Sequence, residues 1–315
     1  MQKNKKLMTK IVPILAISSM SASFAISNPA LASASEVDMP HNKIIDETRT
    51  NTPGIREWSE PLEKSVSIIA PPNTTWSKFT PLNSETHQFS VVSDGSPTVS
   101  DSGSLFVGKN TLTNTSNQEQ TLSTSTFSHS ITNTVASATT HGFKLGYKAS
   151  AKFKVPFVGE TGMELNAEYN FSSTNTETNS TNYTYTAPAQ NIKVPAHSSV
   201  EVVVKLDKAK QKGNVQLLTK MSGTGYYRHS SMDTPGGGAG TLDSFYNIVS
   251  RASKIEKQED VSANPDGKTI NIIGFGNYEA EYGTEFSVTV TPVDKKGNYT
   301  GNQQTYHVKP EIKRN

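Results

Sequence analysis

The sequence predicts an all-β protein built from antiparallel strands, and three observations carry that expectation. Alternating polar and apolar runs, separated by Gly, Pro and Asn turns, recur from Ser65 onward. No long stretch shows the 3.6-residue period of an amphipathic helix, so helix should be minor. The strictest alternation covers residues 141–171 and turns back on itself midway, as an amphipathic hairpin does.

Taken in order, residues 1–34 predict a secretory leader. Lys3, Lys5, Lys6 and Lys10 precede an apolar stretch, and Ala30-Leu31-Ala32 or Ala32-Ser33-Ala34 offers a cleavage site. Pro13 and several serines interrupt that stretch, which is shorter than the roughly 20 apolar residues of a spanning helix. Losing four of 30 basic residues and none of 28 acidic ones leaves a mature charge of about −2. That balance offers nucleic acid no basic patch. With no cysteine, no disulfide or thiol chemistry is available, and no covalent staple opposes a large rearrangement.

From Glu36 to about Glu60 the chain is polar and loop-like. Strand-like runs follow: SVSIIA (65–70), HQFSVV (87–92), SLFVG (104–108), SSVEVVVKL (198–206), NVQLLTKM (214–221) and EFSVTVTPV (285–293). Ser and Thr make up 16 of the 30 residues in 111–140 and 9 of the 15 in 172–186. Low hydrophobicity would permit disorder there. Leu122, Phe127, Ile131, Val135, Tyr183 and Tyr185 punctuate these tracts, and Thr favours strands, so both are expected to be strands.

Between the tracts, odd positions from Phe143 to Val155 and from Met163 to Phe171 are almost all apolar. Even positions carry Lys144, Lys148, Lys152, Lys154, Glu164 and Glu168. One face is therefore apolar and the other charged. Pairing residues whose numbers add to 316 sets Lys152 opposite Glu164 and Lys148 opposite Glu168, and opposed unlike charges favour that register by about 0.2–1 kcal/mol each. An eleven-residue arm, at about 3.3 Å per residue and tilted about 40°, rises roughly 27 Å, close to the apolar band of a membrane barrel. One hairpin cannot span alone, because its edges would be unpaired in lipid, so this reading requires several copies of the chain. The competing reading is an ordinary β-sandwich hairpin. The apolar turn Val155, Pro156, Phe157, Val158 and Gly159 favours the span, since a soluble sandwich gains nothing from exposing it.

The stretch HGFKLGYKASAKFKVPFVGETGMELNAEYNFSSTNTETNS (141–180) resembles the insertion segment of aerolysin-like β-pore-forming toxins, in the clostridial epsilon-toxin and bacillary mosquitocidal-toxin branch. APAQNIKVPAHSSVEVVVKLDKAKQKGNVQLLTKMSGTG (187–225) and DGKTINIIGFGNYEAEYGTEFSVTV (266–290) also resemble it, so the likeness covers roughly 120–225 and 266–292. The resemblance implies an elongated, multi-domain β protein with long antiparallel strands and an amphipathic insertion hairpin. It further implies secretion, binding to a receptor on a target-cell membrane, activation by a protease, homo-oligomerisation and a transmembrane barrel. Transferred residue by residue, Phe143, Leu145, Tyr147, Ala149, Ala151, Phe153, Met163, Leu165, Ala167, Tyr169 and Phe171 would face lipid. Lys144, Lys148, Lys152, Glu164 and Glu168 would line the lumen, and Val155 to Gly159 would anchor beyond the bilayer. Counting Lys154 and Glu160 as well, each hairpin carries about +1, which implies mild anion preference.

The implied organisation is a leader (1–34), a receptor-binding region (35–110 with 226–260), a pore-forming region (111–225, hairpin 139–173) and a C-terminal β region (261–315). Its tail, from about 296, would be removed by cleavage at Lys295 or Lys296, with Lys43, Arg49 and Arg56 as alternatives near the N-terminus. Trp58, Trp76, Tyr226, Tyr227, Arg228 and Tyr246, in segments unlike the family, are candidate receptor contacts because aromatics and Arg anchor many interfaces.

Enzyme chemistry finds no support. The seven histidines lack an H-E-x-x-H spacing, so no metal is expected. Ser262 stands where a phosphate loop ending at Gly267-Lys268-Thr269 needs glycine, and Glu279 spoils a dinucleotide fingerprint at Gly274-x-Gly276. No G-x-S-x-G occurs, and no cofactor is implied. The alternative function is a secreted β-rich adhesin or carbohydrate-binding module that never inserts.

Overall fold

A computed structural model describes residues 54–70, 74–82, 87–157, 163–229 and 240–315, all within the unit Thr50–Asn315. The expected leader, Lys43, Arg49, Val158 and Gly159 lie outside the described residues.

In chain order the elements are β1 (Gly54–Glu57), α1 (Glu60–Ile69), β2 (Thr74–Pro81), β3 (Gln88–Asn114), β4 (Gln120–Ser123) and β5 (Phe127–Lys144). Next come β6 (Ser150–Lys154), β7 (Asn166–Asn170), β8 (Thr176–Ala187), β9 (Asn191–Val194), β10 (Ser198–Met221) and β11 (Gly223–His229). β12 (Gly240–Ser244), α2 (Phe245–Ile255), β13 (Val261–Asn264), β14 (Thr269–Val293), β15 (Gln304–Val308) and β16 (Glu311–Arg314) complete the chain. The main sheet runs β16-β8-β5-β14-β10-β3, with β1 added to β5 and β13 and β15 added to β14. β2, β11 and β12 form a three-stranded sheet, and β4–β9 and β6–β7 are two-stranded.

Strand dominates, but the strands are far longer than the short runs suggested. β3, β10 and β14 hold 27, 24 and 25 residues. SSVEVVVKL and NVQLLTKM are one strand whose phase flips at Asp207: even positions are buried from Val200 to Leu206 and, Gly213 apart, odd ones from Ala209 to Met221. A shift in the β10–β14 register between Leu206 and Lys208 marks the irregularity: Asp207 alone stands against Thr284 and Glu285 of β14, and this one-residue offset puts the later side chains of β10 in the opposite phase. The first Ser/Thr tract runs through the end of β3, β4 and most of β5, and the second lies mainly in β8, which pairs with β5.

SVSIIA is not a strand. It lies in α1, where Pro61 starts the helix, Glu60 and Glu63 occupy the first turn, and Leu62, Ser65 and Val66 are buried on one face. Helix α2 begins at Ser244, whose hydroxyl accepts from Asn247 N at 3.1 Å, and buries Phe245, Ile248, Val249 and Ala252. That i, i+3, i+4, i+7 pattern was present in the sequence. The two helices pack together beside the three-stranded sheet, so residues from 60–81 and 223–255 meet there. β3, by contrast, pairs with β10 from Gln88 to Asn114, so residues 88–110 belong to the main sheet rather than to an N-terminal region.

Candidate membrane-insertion site

The hairpin's odd-numbered residues point into the protein. Phe143, Leu145, Ala149, Phe153, Val155, Met163, Leu165, Ala167, Tyr169 and Phe171 are buried, and Ala151 is half-buried. Tyr147 departs from this face: it is 36% exposed, beside His87 and Phe89. On the opposite face Lys144, Lys148, Lys152 and Glu164 are exposed and Glu168 is half-buried. Lys144 Nζ reaches Glu57 Oε1 at 3.1 Å.

What shields the apolar face is the main sheet. The Phe153 ring packs 5.5 Å from that of Tyr278, and the Phe157 ring stands edge-on to Tyr282 at 4.8 Å. Tyr169 lies over Gly276, where a β-carbon would come within 2.8 Å of its ring, and its hydroxyl donates to Asn277 O at 3.0 Å. The Gly274-x-Gly276 pair that fails as a nucleotide fingerprint thus includes the landing place of a hairpin aromatic.

Polar side chains of the sheet then hold the hairpin's backbone. Ser137 Oγ donates to Glu168 O at 2.9 Å, Thr139 Oγ1 to Asn170 O at 2.8 Å, and Tyr183 Oη to Glu164 O at 2.9 Å. Under the tip, fully buried Gln211 donates to Pro156 O at 2.7 Å and to Tyr278 Oη at 3.1 Å, and accepts from Tyr282 Oη at 2.9 Å. Asn133 donates to Tyr185 Oη at 2.7 Å, and that hydroxyl donates to Met163 Sδ at 2.9 Å. Burial pushes the Tyr185 and Tyr282 phenols up to about 12 and raises Tyr278, so all three hydroxyls stay neutral, Tyr185 and Tyr282 donating and Tyr278 accepting from Gln211. The Ser/Thr tracts therefore serve two faces. Odd-numbered Ser137 and Thr139 reach the hairpin, and even-numbered pairs form outer rungs, Ser128 with Thr186 at 2.8 Å and Ser130 with Thr184 at 2.7 Å.

Two features of the expected hairpin are corrected in this folded form. Its register is four residues away from the one that opposed charges favour: Lys152 sits opposite Glu168, not Glu164, and Lys154 Nζ takes Glu164 Oε1 at 2.5 Å. Nor is the first arm one strand over 143–153. It stops at Lys144, bends at Gly146 (φ +74°) and Tyr147, and resumes at Ser150. The second arm is strand only over β7.

The other candidate residues fall at separate places. Tyr227 is buried and belongs to a small core with Val66 and Ile248, which removes it as a surface contact. Trp58 is half-buried, 6.1 Å from the Phe245 ring. Tyr226 and Tyr246 are half-buried and Arg228 is exposed, while the side chain of Trp76 lies outside the described atoms. Lys295 and Lys296 are exposed in the turn between β14 and β15. Arg56 is committed inside the fold: it pairs with Asp260 at 3.0 Å and covers the Phe143 ring at 5.2 Å. One convergence was not visible in the sequence, where histidines look scattered. His307 Nδ1 lies 3.2 Å from Glu285 Oε1 and 3.7 Å from Asp207 Oδ2, and the three side chains offer donor atoms within 4.8 Å of one another, enough to hold a cation. Ser287 and Ser104 also donate to Asp207, so the group already has partners within the fold and ties β15 to β10 and β14.

Among the described residues no helix is long and apolar enough to cross a membrane, a statement that does not bear on strands. Residues 65–303 match the family described as Clostridium epsilon toxin ETX/Bacillus mosquitocidal toxin MTX2. The fold is similar to that of the Mpp75Aa1.1 β-pore-forming protein from Brevibacillus laterosporus (TM-score 0.64, 23% identity, 83% of this chain and 97% of that one). Weaker similarity extends to Cry23Aa1 and Cry37Aa1 in their binary complex (TM-score 0.47, 20% identity, 82% and 100%). A non-toxic crystal protein from Bacillus thuringiensis is comparable (TM-score 0.48, 14% identity, 76% and 97%). Among curated proteins, none matches the sequence.

Proposed function

The chain belongs to the ETX/MTX2 family of pore-forming toxins, which damage membranes without enzymatic chemistry, and on that premise we propose that it is a secreted protoxin acting through its 139–173 hairpin. After proteolysis and assembly of several copies on a target-cell membrane, the hairpins leave their sheets and close together into a transmembrane β-barrel.

The observation that carries this reading is the storage of a membrane-length apolar stripe against the sheet, with the charged stripe already outside. Transfer to lipid keeps the apolar face out of water, so the hydrophobic gain from burial, about 25 cal/mol per Å², is largely retained. The bonds to Ser137, Thr139, Tyr183 and Gln211, each of about 0.5–1.5 kcal/mol net, are exchanged for inter-strand bonds in the barrel. With no disulfide in the chain, nothing covalent opposes the exchange. Val155 and Phe157, now covered by the sheet, become the anchor beyond the bilayer, where Val158 and Gly159 complete the apolar tip. Cleavage at Lys295 or Lys296 would free β15 and β16 from the main sheet. A receptor is approached through the region of α1, α2 and the three-stranded sheet, where Trp58, Trp76, Tyr226, Arg228 and Tyr246 are the candidate contacts.

The test is release of an entrapped dye from liposomes or susceptible cells after limited proteolysis, with an SDS-resistant oligomer on a gel. Binding without leakage or oligomer would overturn the pore and leave a β-rich adhesin or carbohydrate-binding module.

A further inference from the structure

The hairpin and the strands that lead into it are paired out of step. In β5–β8 the paired numbers add to 314 without a shift, from Phe127 opposite Ala187 to Ala138 opposite Thr176. In β6–β7 they add to 320, from Ser150 opposite Asn170 to Lys154 opposite Asn166. Between the two ladders one arm advances 12 residues, 138 to 150, while the other retreats only six, 176 to 170. Residues 145–149 hold much of this surplus: there the strand stops, Gly146 takes φ +74° and Tyr147 leaves the apolar face.

A barrel wall cannot keep that step. In lipid every backbone N–H and C=O must be paired within the wall, and a six-residue mismatch would leave about six residues of one arm without partners. We propose that β5 and β8 set the register of the inserted hairpin, so that insertion includes a six-residue slip of one arm against the other, from 320 to 314. This deepens the pore-forming reading and rests on it. An even slip keeps every side chain on its own face, and an odd one would turn the lysines into lipid. The β5–β8 ladder then runs on through Phe143 opposite Phe171, Tyr147 opposite Ala167 and Ala151 opposite Met163, and the bend at 145–149 straightens.

Two consequences follow for the pore. A 314 ladder centres on Phe157, which places the apolar residues 155–159 at the apex, whereas a 320 ladder centres on charged Glu160. Lys144 and Lys148 then face Asn170 and Asn166 across the hairpin, so neutral partners leave their charge uncancelled on the lumen side.

Disulfides distinguish the two registers, since the chain has no cysteine of its own. In K152C/E168C the cysteines are direct partners in the folded ladder, so oxidation locks 320. In K148C/N166C they become partners only at 314; in the folded protein Asn166 faces Lys154, six residues beyond Lys148. After proteolysis, oxidised K152C/E168C should release dye at least tenfold more slowly than the same protein reduced. K148C/N166C should form no cross-link in solution and an intrasubunit cross-link in the SDS-resistant oligomer. Equal leakage by oxidised and reduced K152C/E168C, or an oligomer in which K148C/N166C never cross-links, overturns the slip while leaving the pore intact. Absence of leakage and oligomer with the unsubstituted chain removes the pore-forming reading itself, and the slip with it.

Discussion

Gln211 carries the polar side of hairpin docking from a fully buried position, bonded to Pro156 O, Tyr278 Oη and Tyr282 Oη at once. Gln211→Leu would keep most of the volume but leave a carbonyl and two hydroxyls short of partners, a loss of about 1–3 kcal/mol for each group left unsatisfied. We expect lower unfolding stability in urea and faster hydrogen exchange in the hairpin; unchanged exchange there would show that Gln211 does not hold the tip. The same cluster sets an alkaline limit. Tyr282 and Tyr185 are raised by burial to about 12, above the ordinary value near 10, so the fold favours their neutral form. Their contribution to stability is complete below pH 10 and is lost as pH climbs through 12. Phenolate absorbance at 295 nm should therefore rise in two stages, the later one coinciding with loss of structure. A single transition near pH 10 with the fold intact would contradict this.

At the scale of elements, the expected activation turn is more ordered than an exposed Lys-Lys pair suggests. Asp294 accepts from Lys296 N and Asn298 N, both at 2.8 Å, and from Asn298 Nδ2 at 2.9 Å, while Gly297 supplies the positive φ of +84°. Its carboxyl is held below the usual range, chiefly by the Asn298 side-chain bond. Asp294→Ala should open the turn and speed trypsin nicking at Lys295-Lys296 several-fold, read as the rate of appearance of the shortened chain by mass. An unchanged rate would place the limiting step elsewhere. Elements also show where sequence reading succeeds. Period-two alternation separated the mostly buried odd-numbered residues of 143–171 from the more exposed even-numbered ones, Tyr147 excepted, because burial on one side of a ribbon acts on every second residue; it did not foresee the break in the first arm at 145–149. It failed for SVSIIA, where a short stretch fits either period and Pro61 and the acidic first turn decide for helix. It divided β10 in two because the register shift at Asp207 reverses the phase midway. The 316 register failed for an energetic reason. Exposed Lys–Glu oppositions of about 0.2–1 kcal/mol are outweighed by the fit of Phe153, Phe157 and Tyr169 onto Tyr278, Tyr282 and Gly276, none of which local pairing can foresee.

At the scale of the whole molecule, one stripe of even-numbered residues continues from the outer Ser/Thr rungs of β5 and β8 onto the lysine face of the hairpin, and among the described residues all of it but buried Gly142 is at least partly solvent-accessible in the folded protein. In the proposed barrel of several copies the hairpin part of this stripe would become the lumen, since the opposite face of the hairpin is the apolar one. Each hairpin brings Lys144, Lys148, Lys152 and Lys154 against Glu160, Glu164 and Glu168, an excess of one positive charge, and every added copy repeats it. Glu57, which pairs with Lys144 in the folded protein, lies on β1 rather than in the hairpin, so withdrawal of the hairpin from β1 frees that lysine. Rings of uncancelled lysine attract anions and repel cations within the Debye length, about 8 Å at physiological salt, which is comparable with a narrow pore's radius. In planar bilayers under a salt gradient the reversal potential should accordingly show mild anion preference. K148E exchanges one positive for one negative charge in each copy, turning the excess of one into a deficit of one, and should invert the sign of that potential without abolishing conductance. Cation preference in the unsubstituted pore, or a sign unaffected by K148E, would mean that these lysines do not line it.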